Sequence, residues 1–423
     1  MKKVSQMHKN ANITIDGPRL NEDIAFTSRF GATPRGGIRR LALSAEDRLV
    51  RDWLATHGEA LGCSITVDTM GSQFLRLEGS DPTLPPLMMG SHLDTQPTGG
   101  RYDGIYGVLG GLAVLRAFRA AGYVPRHSIE LANWTNEEGA RFAPAMTASG
   151  VFSGVFTLEQ AYGLADRDGV RLGDALLAIG YKGDEPCGAH PLAAYFELHI
   201  EQGPVLENEG KTIGVVTGVQ GMRWFDVTLT GQEAHAGTTP MELRRDALLA
   251  AARLMVLAAD VAAAHGPDAK TTIGIIDASP GSRNVVPGEV RMTLDLRHPD
   301  DAVIDQMEAD FRTQAAEIAR RAHIELSIEE SWGSPSVPFD LACIGMVRDA
   351  AAKAGLSHRD IISGAGHDAA YMARICPTAM IFIPCRDGLS HNEAEYAEPE
   401  DIVAGANVLM RAIMAADEHF DPA

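Results

Sequence analysis

The chain of 423 residues is 45% apolar and 22% charged, a composition typical of a folded protein and not of a disordered one. Its 37 Lys and Arg residues and 56 Asp and Glu residues give a net charge of −19, which disfavours nucleic acid and anionic membranes as partners. The length is sufficient for roughly two or three domains.

Cysteine usage favours a reducing compartment. The five cysteines are odd in number, widely spaced and without a CxxC pair, so neither a disulfide framework nor a thiolate metal site is predicted. The N-terminal residues lack the apolar run of a signal peptide, and we predict a cytoplasmic protein. The most apolar stretch, residues 247–264, is interrupted by Arg253 and Asp260, which favours a helix of a soluble domain over a membrane span.

The first half of the chain has the pattern of an α/β domain. Ser44 and Asp47 form a capping-box pattern ahead of an amphipathic helix within residues 43–61. Short β-rich runs follow, over residues 64–68, 73–77, 86–91 and 128–134. An apolar, glycine-punctuated helix from about Ile105 to Ala121 separates the last two runs, which predicts a strand–helix–strand unit.

From about Gln220 the pattern changes to that of a second domain. The predicted elements are strand 224–230, helix 246–264, strand 271–277, strand 289–296, helix 301–322 and strand 324–329. This β-α-β-β-α-β order predicts an inserted α+β domain over residues 219–335. A helix near 343–354 and a strand at 379–384 resume the earlier style, so residues 1–218 and 336–423 are predicted to form one discontinuous α/β domain with a mixed sheet.

Several catalytic signatures are absent from the sequence. There is no HExxH, no GxxxxGK[ST] and no GxSxG, and the glycine-rich segment 99–104 lacks the GxGxxG spacing. These absences disfavour serine hydrolase, nucleotide and dinucleotide sites.

Side chains able to bind metal ions lie beside predicted strand ends and in adjoining loops: His92, Asp103, the adjacent pair Glu137 and Glu138, His199 and His391. The carboxyl edge of an α/β sheet is where ligands bind. Asp94 is placed to accept a hydrogen bond from one nitrogen of His92 and so to leave the other nitrogen free for a metal. Side chains of successive residues diverge, so one of the two adjacent glutamates can bind metal while the other handles protons, and the residues alone do not say which.

Each of these residues also has an ordinary explanation. A single histidine is usually hydrogen-bonded in the core or at the surface, and adjacent acids are usually solvated. Their joint position at the strand ends, in a mixed histidine and carboxylate set without cysteine, favours a hydrolytic site with two metal ions.

Long motifs resemble those of the hydantoinase/carbamoylase amidases, part of the aminoacylase and carboxypeptidase superfamily of dinuclear zinc hydrolases. The motifs are GSHLDTQPTGGRYDGIYGVLGG, NEEGARFAPAMTASGVF, ELHIEQGPVLE, GQEAHAGTTP, SRNVVPGEV, SGAGHDA and IPCRDGLSHNEAEY. The histidine followed by EQGP, at the position where peptidase branches have a carboxylate, favours a ureido-cleaving amidase. Within the family, the tract HLDTQPTGGRYDG is most similar to the β-ureidopropionase branch.

The resemblance implies a complete site. It implies two divalent ions per subunit, zinc or manganese with cobalt or nickel as alternatives, and these ligands: His92, Asp103 as the bridge, Glu138, His199 and His391. It implies Glu137 as general base with Asp94 in a supporting catalytic role, and a cis peptide after Asp103. It further implies a homodimer in which the inserted domain is both lid and dimer interface, so that His235 reaches the other subunit's site. The implied substrate-binding residues are Gln202, His235, Asn284, Arg297 and His367.

The implied activity is hydrolysis of the ureido C–N bond of a small N-carbamoyl amino acid that carries a carboxylate, either N-carbamoyl-β-alanine or an N-carbamoyl-L-amino acid. Arg297 would bind the carboxylate, although alone it would be read as a strand-end residue in an ion pair. Allantoate amidohydrolase, or an aminoacylase or dipeptidase on the same scaffold, is the alternative activity. A non-enzymatic metal-binding protein is the third hypothesis, and it would have no use for a general base beside the ligands.

Overall fold

The computed structural model describes residues 13–188 and 190–420, which form sixteen strands and twelve α-helices. The strands are β1 (Ser64–Val67), β2 (Gln73–Leu77), β3 (Leu87–His92), β4 (Ile129–Trp134), β5 (Ala194–Ile200), β6 (Ile213–Val219), β7 (Gly221–Thr230), β8 (Ala234–His235), β9 (Lys270–Thr272), β10 (Ile276–Ser279), β11 (Val285–Val286), β12 (Glu289–His298), β13 (Glu325–Ser334), β14 (Val337–Pro338), β15 (His358–Ser363) and β16 (Thr378–Ile383). The helices are α1 (Gly17–Thr27), α2 (Ala45–Ala60), α3 (Ile105–Ala121), α4 (Thr147–Phe152), α5 (Leu158–Gly163), α6 (Leu172–Ile179), α7 (Val205–Asn208), α8 (Ala247–Ala264), α9 (Asp301–Ala322), α10 (Leu341–Lys353), α11 (Asp368–Met372) and α12 (Pro399–His419).

The chain divides into two compact units. The large unit comprises Met1–Gly218 and Pro338–Ala423, and the small unit comprises Val219–Val337. The large unit is mixed α/β and the small unit is α+β, so the predicted fold class is confirmed.

A nine-stranded mixed sheet organises the large unit. Its strand order is β1-β2-β4-β3-β5-β16-β6-β14, with β15 paired to β6. The four strands β4, β3, β5 and β16 run parallel, and every residue in them is buried. Strands buried on both faces are typical of a parallel sheet, and parallel strands bring their carboxyl ends to one edge.

The N-cap predicted for α2 is present, but the reciprocal bond of a capping box is not, because the Asp47 side chain accepts the N–H of Leu43 and the Ser44 N–H donates to the Leu41 carbonyl. Ser44 Oγ accepts the Asp47 N–H at 3.2 Å, and Asp47 Oδ2 accepts the Leu43 N–H at 2.8 Å. One turn later Arg51 donates to Asp47 Oδ1 at 2.9 Å, and both side chains are fully buried. The first turn of α2 is therefore fixed by an ion pair that lies within the large unit.

The small unit is an antiparallel sheet of five strands with α8 and α9 packed against it. The order is β10-β12-β7-β13, with β9 also paired to β12. The single strand predicted at 271–277 was wrong, because that segment forms both β9 and β10. Thr272 pairs with Asp295 of β12, and Ile276 pairs with Met292 of the same strand. Between these two pairs the segment that contains β9 and β10 has one residue more than β12, so a bulge separates β9 from β10.

Helix α8 is long and apolar enough to cross a membrane by length and composition. One face packs into the core of the small unit through residues that include Leu254, Leu257 and Val261. A core helix passes the same test as a membrane span, and the buried face explains its apolar composition.

Candidate active site

The predicted ligands come together at the carboxyl edge of the large sheet. His92 is the last residue of β3, His199 is near the end of β5, and Glu138 follows β4. Asp103 precedes α3 and His391 follows β16, so the parallel strands deliver side chains from remote parts of the sequence to one place. The side chain of His391 is 51% exposed while that of Asp103 is 5% exposed, which places His391 at the open side of the group.

His92 and His199 form a buried cluster with Asp103, and both rings face the same oxygen of its carboxylate. The Oδ1 atom lies 3.1 Å from His199 Nε2 and 3.7 Å from His92 Nε2. The Nδ1 atom of His92 lies 3.0 Å from the Asp94 carbonyl oxygen, and that of His199 lies 2.9 Å from the Ile200 carbonyl oxygen. Because a carbonyl oxygen only accepts, each Nδ1 carries the hydrogen, and in the neutral ring each Nε2 keeps a lone pair, which in His199 accepts the Gly104 N–H at 3.2 Å.

A second, more open cluster surrounds the other oxygen of Asp103. His391 Nε2 lies 3.3 Å from Asp103 Oδ2 and 3.4 Å from Glu138 Oε2. Within each cluster the potential ligand atoms lie within 4.8 Å of one another. Asp103 belongs to both clusters, as expected for a carboxylate that bridges two cations.

Glu137 lies beside the buried cluster without joining either group. Its Oε2 is 3.3 Å from His92 Nε2, and the residue is 7% exposed. Burial and then the charges of Asp368 and Glu138 hold the pKa of Glu137 well above its usual range. A carboxyl beside the clusters that readily holds a proton is chemically suited to proton transfer, whereas the Glu138 carboxylate supplies one of the potential ligand atoms of the open cluster.

The electrostatics of the site favour cations. Burial lowers the pKa of His92 to about 4. Burial also opposes charge on His199, but the hydrogen bond and charge of Asp103 raise the pKa of that histidine to about 9. The pKa of Glu138 is well above its usual range because of burial and then the charge of Asp103. Several acids in so small a buried volume repel one another, and bound divalent ions would relieve that repulsion.

Asp94 has a different contact from the one predicted. The His92 Nδ1 atom donates to the backbone carbonyl of Asp94, and the Asp94 carboxylate lies 3.9 Å away, beyond hydrogen-bond distance. The carboxylate instead accepts the backbone N–H groups of Glu137 and Glu138, each at 3.3 Å. Asp94 therefore supports the loop that carries both glutamates.

The predicted cis peptide after Asp103 was wrong. Among the described residues, cis bonds occur at Ala143–Pro144 and Ser279–Pro280, and the Asp103–Gly104 bond is trans. The turn is made by Gly104 itself, whose φ of 67° and ψ of −57° place it in a region that other residues avoid.

Of the predicted substrate residues, Gln202 and His367 lie in the large unit beside the clusters. Gln202 has a φ of 58°, and its Nε2 donates to Asp103 Oδ2 at 2.9 Å. The buried ring of His367 packs edge-to-face on that of His199, with centroids 4.6 Å apart. Left-handed backbone at a non-glycine residue is strained and concentrates at functional sites.

The other predicted substrate residues lie in the small unit. His235 is exposed, and its Nδ1 accepts the N–H groups of Gly237 at 3.1 Å and Thr238 at 3.2 Å, so its Nε2 carries the hydrogen. Asn284 is adjacent, because its carbonyl accepts the Ala236 N–H at 2.9 Å. Arg297 forms an ion pair with Asp295 at 2.7 Å, as expected if it were only a strand-end arginine without a role in substrate binding.

The sequence patterns did not identify three polar residues that contact the ligands. Gln96 donates through Nε2 to Glu138 Oε2 at 2.7 Å. Ser390 Oγ lies 2.9 Å from Asp103 Oδ2, and Glu395 accepts the Asp103 N–H at 3.1 Å. All of them lie within the motifs HLDTQ and SHNEAEY, but their residue types alone do not indicate a role.

The chain is similar to known amidases over nearly its whole length. Residues 88–415 match the family described as Peptidase family M20/M25/M40. The chain is 47% identical over 411 residues to an N-carbamoyl-L-amino-acid amidohydrolase of Rhizobium meliloti, which covers 96% of this chain and 98% of that protein. A crystal structure of a hydantoinase/carbamoylase family amidase from Burkholderia multivorans has a TM-score of 0.94 and 53% identity, covering 97% of this chain and 100% of that one. An allantoate amidohydrolase of Bacillus subtilis is 33% identical over 396 residues, covering 92% of this chain and 95% of that protein.

Proposed function

The chain belongs to the hydantoinase/carbamoylase amidases of peptidase family M20/M25/M40, and from this membership and its site we propose that it hydrolyses the ureido C–N bond of N-carbamoyl amino acids. The products would be the free amino acid, carbon dioxide and ammonia. The observation that carries the proposal is that the two oxygens of Asp103 face separate clusters of nitrogen and oxygen ligands.

The donor set fits two divalent cations. His92, His199 and Asp103 would hold one ion, and Glu138, His391 and the same Asp103 would hold the other. A set of imidazoles and carboxylates without thiolate accommodates zinc, manganese, cobalt or nickel. We expect zinc or manganese, and metal analysis of the purified protein identifies the ion.

The proposed hydrolysis needs bound metal ions, a proton acceptor and a residue that positions that acceptor. When bound, two divalent ions supply Lewis acidity and lower the pKa of water to about 7. Glu137 would take the proton of the water that attacks the ureido carbonyl carbon and return it to the leaving nitrogen. Ammonia leaves, and the remaining carbamate loses carbon dioxide to give the amino acid. Asp94 would act by holding the backbone of Glu137.

Substrate recognition is assigned to residues of both units. The Nε2–H of His235 would donate to the developing oxyanion, an effect of about 3–4 kcal/mol for one well-placed donor. The planar guanidinium of Arg297 would bind the substrate carboxylate. We assign Gln202, Asn284 and His367 to the polar groups of the ureide.

The small unit would also form the interface of a homodimer. Its helix α8 exposes Leu248, Leu249 and Val256, whose exposed fractions are 37%, 42% and 62%. Neighbouring exposed apolar side chains on one helix favour a protein interface. In such a dimer we expect the small unit to act as a lid and His235 to serve the site of the second subunit. Sedimentation of the purified protein tests this, and a monomer at micromolar concentration would contradict it.

N-carbamoyl-L-amino acids are the substrates we place first. The similar Rhizobium meliloti protein is named for them, whereas the Bacillus subtilis protein named for allantoate is less similar to this chain. N-carbamoyl-β-alanine, which the β-ureidopropionase-like tract places first on the sequence alone, becomes the second candidate. We expect the enzyme in the cytoplasm, a prediction that rests on its unpaired cysteines.

A substrate panel tests the proposed activity. Metal-stripped and metal-restored protein would be assayed for ammonia release from N-carbamoyl-L-amino acids, N-carbamoyl-β-alanine and allantoate. We expect ammonia from the carbamoyl amino acids, and only from metal-restored protein. Cleavage of N-acyl amino acids or dipeptides without ammonia from any ureide would instead establish an aminoacylase or dipeptidase.

A further inference from the structure

Glu395 makes contacts with the backbone of the bridging aspartate. It lies four residues after His391 and is 3% exposed. Its Oε1 accepts the N–H groups of Tyr102 at 2.9 Å and Asp103 at 3.1 Å. One carboxylate oxygen therefore binds two consecutive amides of the loop that carries Asp103.

The other oxygen of Glu395 connects to the side chain of the same aspartate. Its Oε2 lies 2.9 Å from Ser390 Oγ, and that hydroxyl also lies 2.9 Å from Asp103 Oδ2. Glu395 thus contacts Asp103 directly through the backbone and indirectly through Ser390. These contacts join segments of the chain that are 292 residues apart.

We propose that Glu395 is a positioning residue that holds Asp103 in the orientation in which each of its carboxylate oxygens faces one ligand cluster. The inference rests on the proposed function, because it assumes that Asp103 bridges two ions. A carboxylate can only accept hydrogen bonds, which suits the end of a side chain that meets two amides and a hydroxyl. Removing it would leave two buried N–H groups without an acceptor, and such groups are costly.

The loop is shaped around this carboxylate. A Cβ atom at Gly100 would lie 2.1 Å from the carboxyl carbon and from Oε1 of Glu395. Any side chain at position 100 would therefore displace Glu395 from the amides. Asp94 makes a related contact on the second loop, where one buried acid again binds two consecutive amides, those of Glu137 and Glu138, with one oxygen for each.

The test measures metal binding to metal-free protein by equilibrium dialysis with Mn²⁺ or Zn²⁺, followed by metal analysis. For Glu395→Ala we expect metal affinity to fall about 10–100-fold, the usual effect of losing a partner that orients a ligand. For Glu395→Gln we expect affinity within about threefold of wild type, since the amide oxygen still accepts both N–H groups and the amide nitrogen can donate to Ser390. Gly100→Ala should reproduce Glu395→Ala although the carboxylate is still present.

Glu393→Ala is the matched control. Glu393 is an acid of the same loop. Its carboxylate contacts Thr33 at 2.5 Å and Arg35 at 3.4 Å, and neither of these residues is a candidate ligand. We expect its removal to leave metal affinity unchanged. With saturating metal, Glu395→Ala should lower kcat more than it changes KM, because Asp103 is misplaced and the substrate residues are intact.

Two results would overturn the inference. One is wild-type metal affinity in both Glu395→Ala and Gly100→Ala. The other is a loss in Glu395→Gln as large as in Glu395→Ala, because the charge and not the hydrogen-bond geometry would then be responsible. If Glu395→Ala does not fold, Gly100→Ala and Glu395→Gln decide the question. Failure of the wild-type protein to bind two ions would instead contradict the proposed function.

Discussion

Substitution of Gly104 by alanine is expected to destroy the buried ligand cluster. A Cβ atom at this position would lie 2.2 Å from Cε1, 2.3 Å from Nε2 and 2.4 Å from Nδ1 of the His92 ring. Carbon atoms pack at about 3.5–4.0 Å, so the ring would have to retreat by more than about 1 Å. Metal–ligand distances tolerate only about 0.2 Å, and we therefore expect His92 to be lost as a ligand.

Gly122→Ala provides a control for the backbone cost of the same change. Gly104 and Gly122 lie at the two ends of α3 with φ values of 67° and 62°, but a Cβ atom at Gly122 would meet nothing within 4 Å. Alanine in the left-handed backbone of Gly122 costs about 1–2 kcal/mol, and alanine at Gly104, whose ψ of −57° lies outside that region, should cost at least as much, so both variants should lose stability.

The assay combines urea unfolding of the metal-free proteins with metal analysis after dialysis. We expect both variants to be less stable than wild type, but only Gly104→Ala to lose bound metal and ammonia-releasing activity. If Gly104→Ala retains as much metal and activity as Gly122→Ala, the steric argument about His92 is refuted.

Three further changes test other parts of the molecule. Glu137→Gln should keep the bound ions and lower kcat by about 10²–10⁴-fold in the ammonia assay, the range for loss of a general base, and full activity with bound metal would remove Glu137 from that role. The pKa of His199 is raised to about 9, so metal-free protein keeps this proton below that pH, and the raised pKa of Glu138 adds a second proton that metal must displace. The apparent metal affinity in dialysis should therefore rise by at least about tenfold per pH unit up to about pH 9, and a flat profile would contradict these shifts. Arg51→Met should cost about 3–5 kcal/mol in urea unfolding because it leaves its buried acid unpaired, whereas Arg48→Met, which breaks a pair more than half exposed, should cost less than about 1 kcal/mol.

Long helices could be predicted from the sequence with their bounds. Helices Ile105–Ala121 and Asp301–Ala322 end at the predicted residues. Asp301–Ala322 is long enough to show one apolar face, whereas Ile105–Ala121 is recognised as a long apolar run that is buried over most of its length. The short helices such as Thr147–Phe152 and Val205–Asn208 were not predicted, because four to six residues show no period and such helices depend on tertiary contacts.

The convergence of the candidate ligands was also open to prediction, whereas the separate roles proposed for the two glutamates were not. Strand ends can be read from the sequence, and parallel strands bring them together. Glu137 and Glu138 are equivalent in the local pattern. What distinguishes them in the structure is the bond from Gln96 to Glu138 and the approach of Glu137 to His92, both of which cross more than forty residues of chain.

The residues that hold the ligand loops escaped prediction for a different reason. Asp94 was assigned a histidine partner and Glu395 no partner, yet both carboxylates bind backbone N–H groups. A sequence motif can identify a pair of side chains whose chemistry matches, but every residue except proline carries a backbone N–H, so an acid that binds one has no recognisable counterpart in the sequence. Only the fold selects which amides converge on it. In a site built from loops, the side chains that bind ions are therefore easier to predict than the side chains that hold those loops in place.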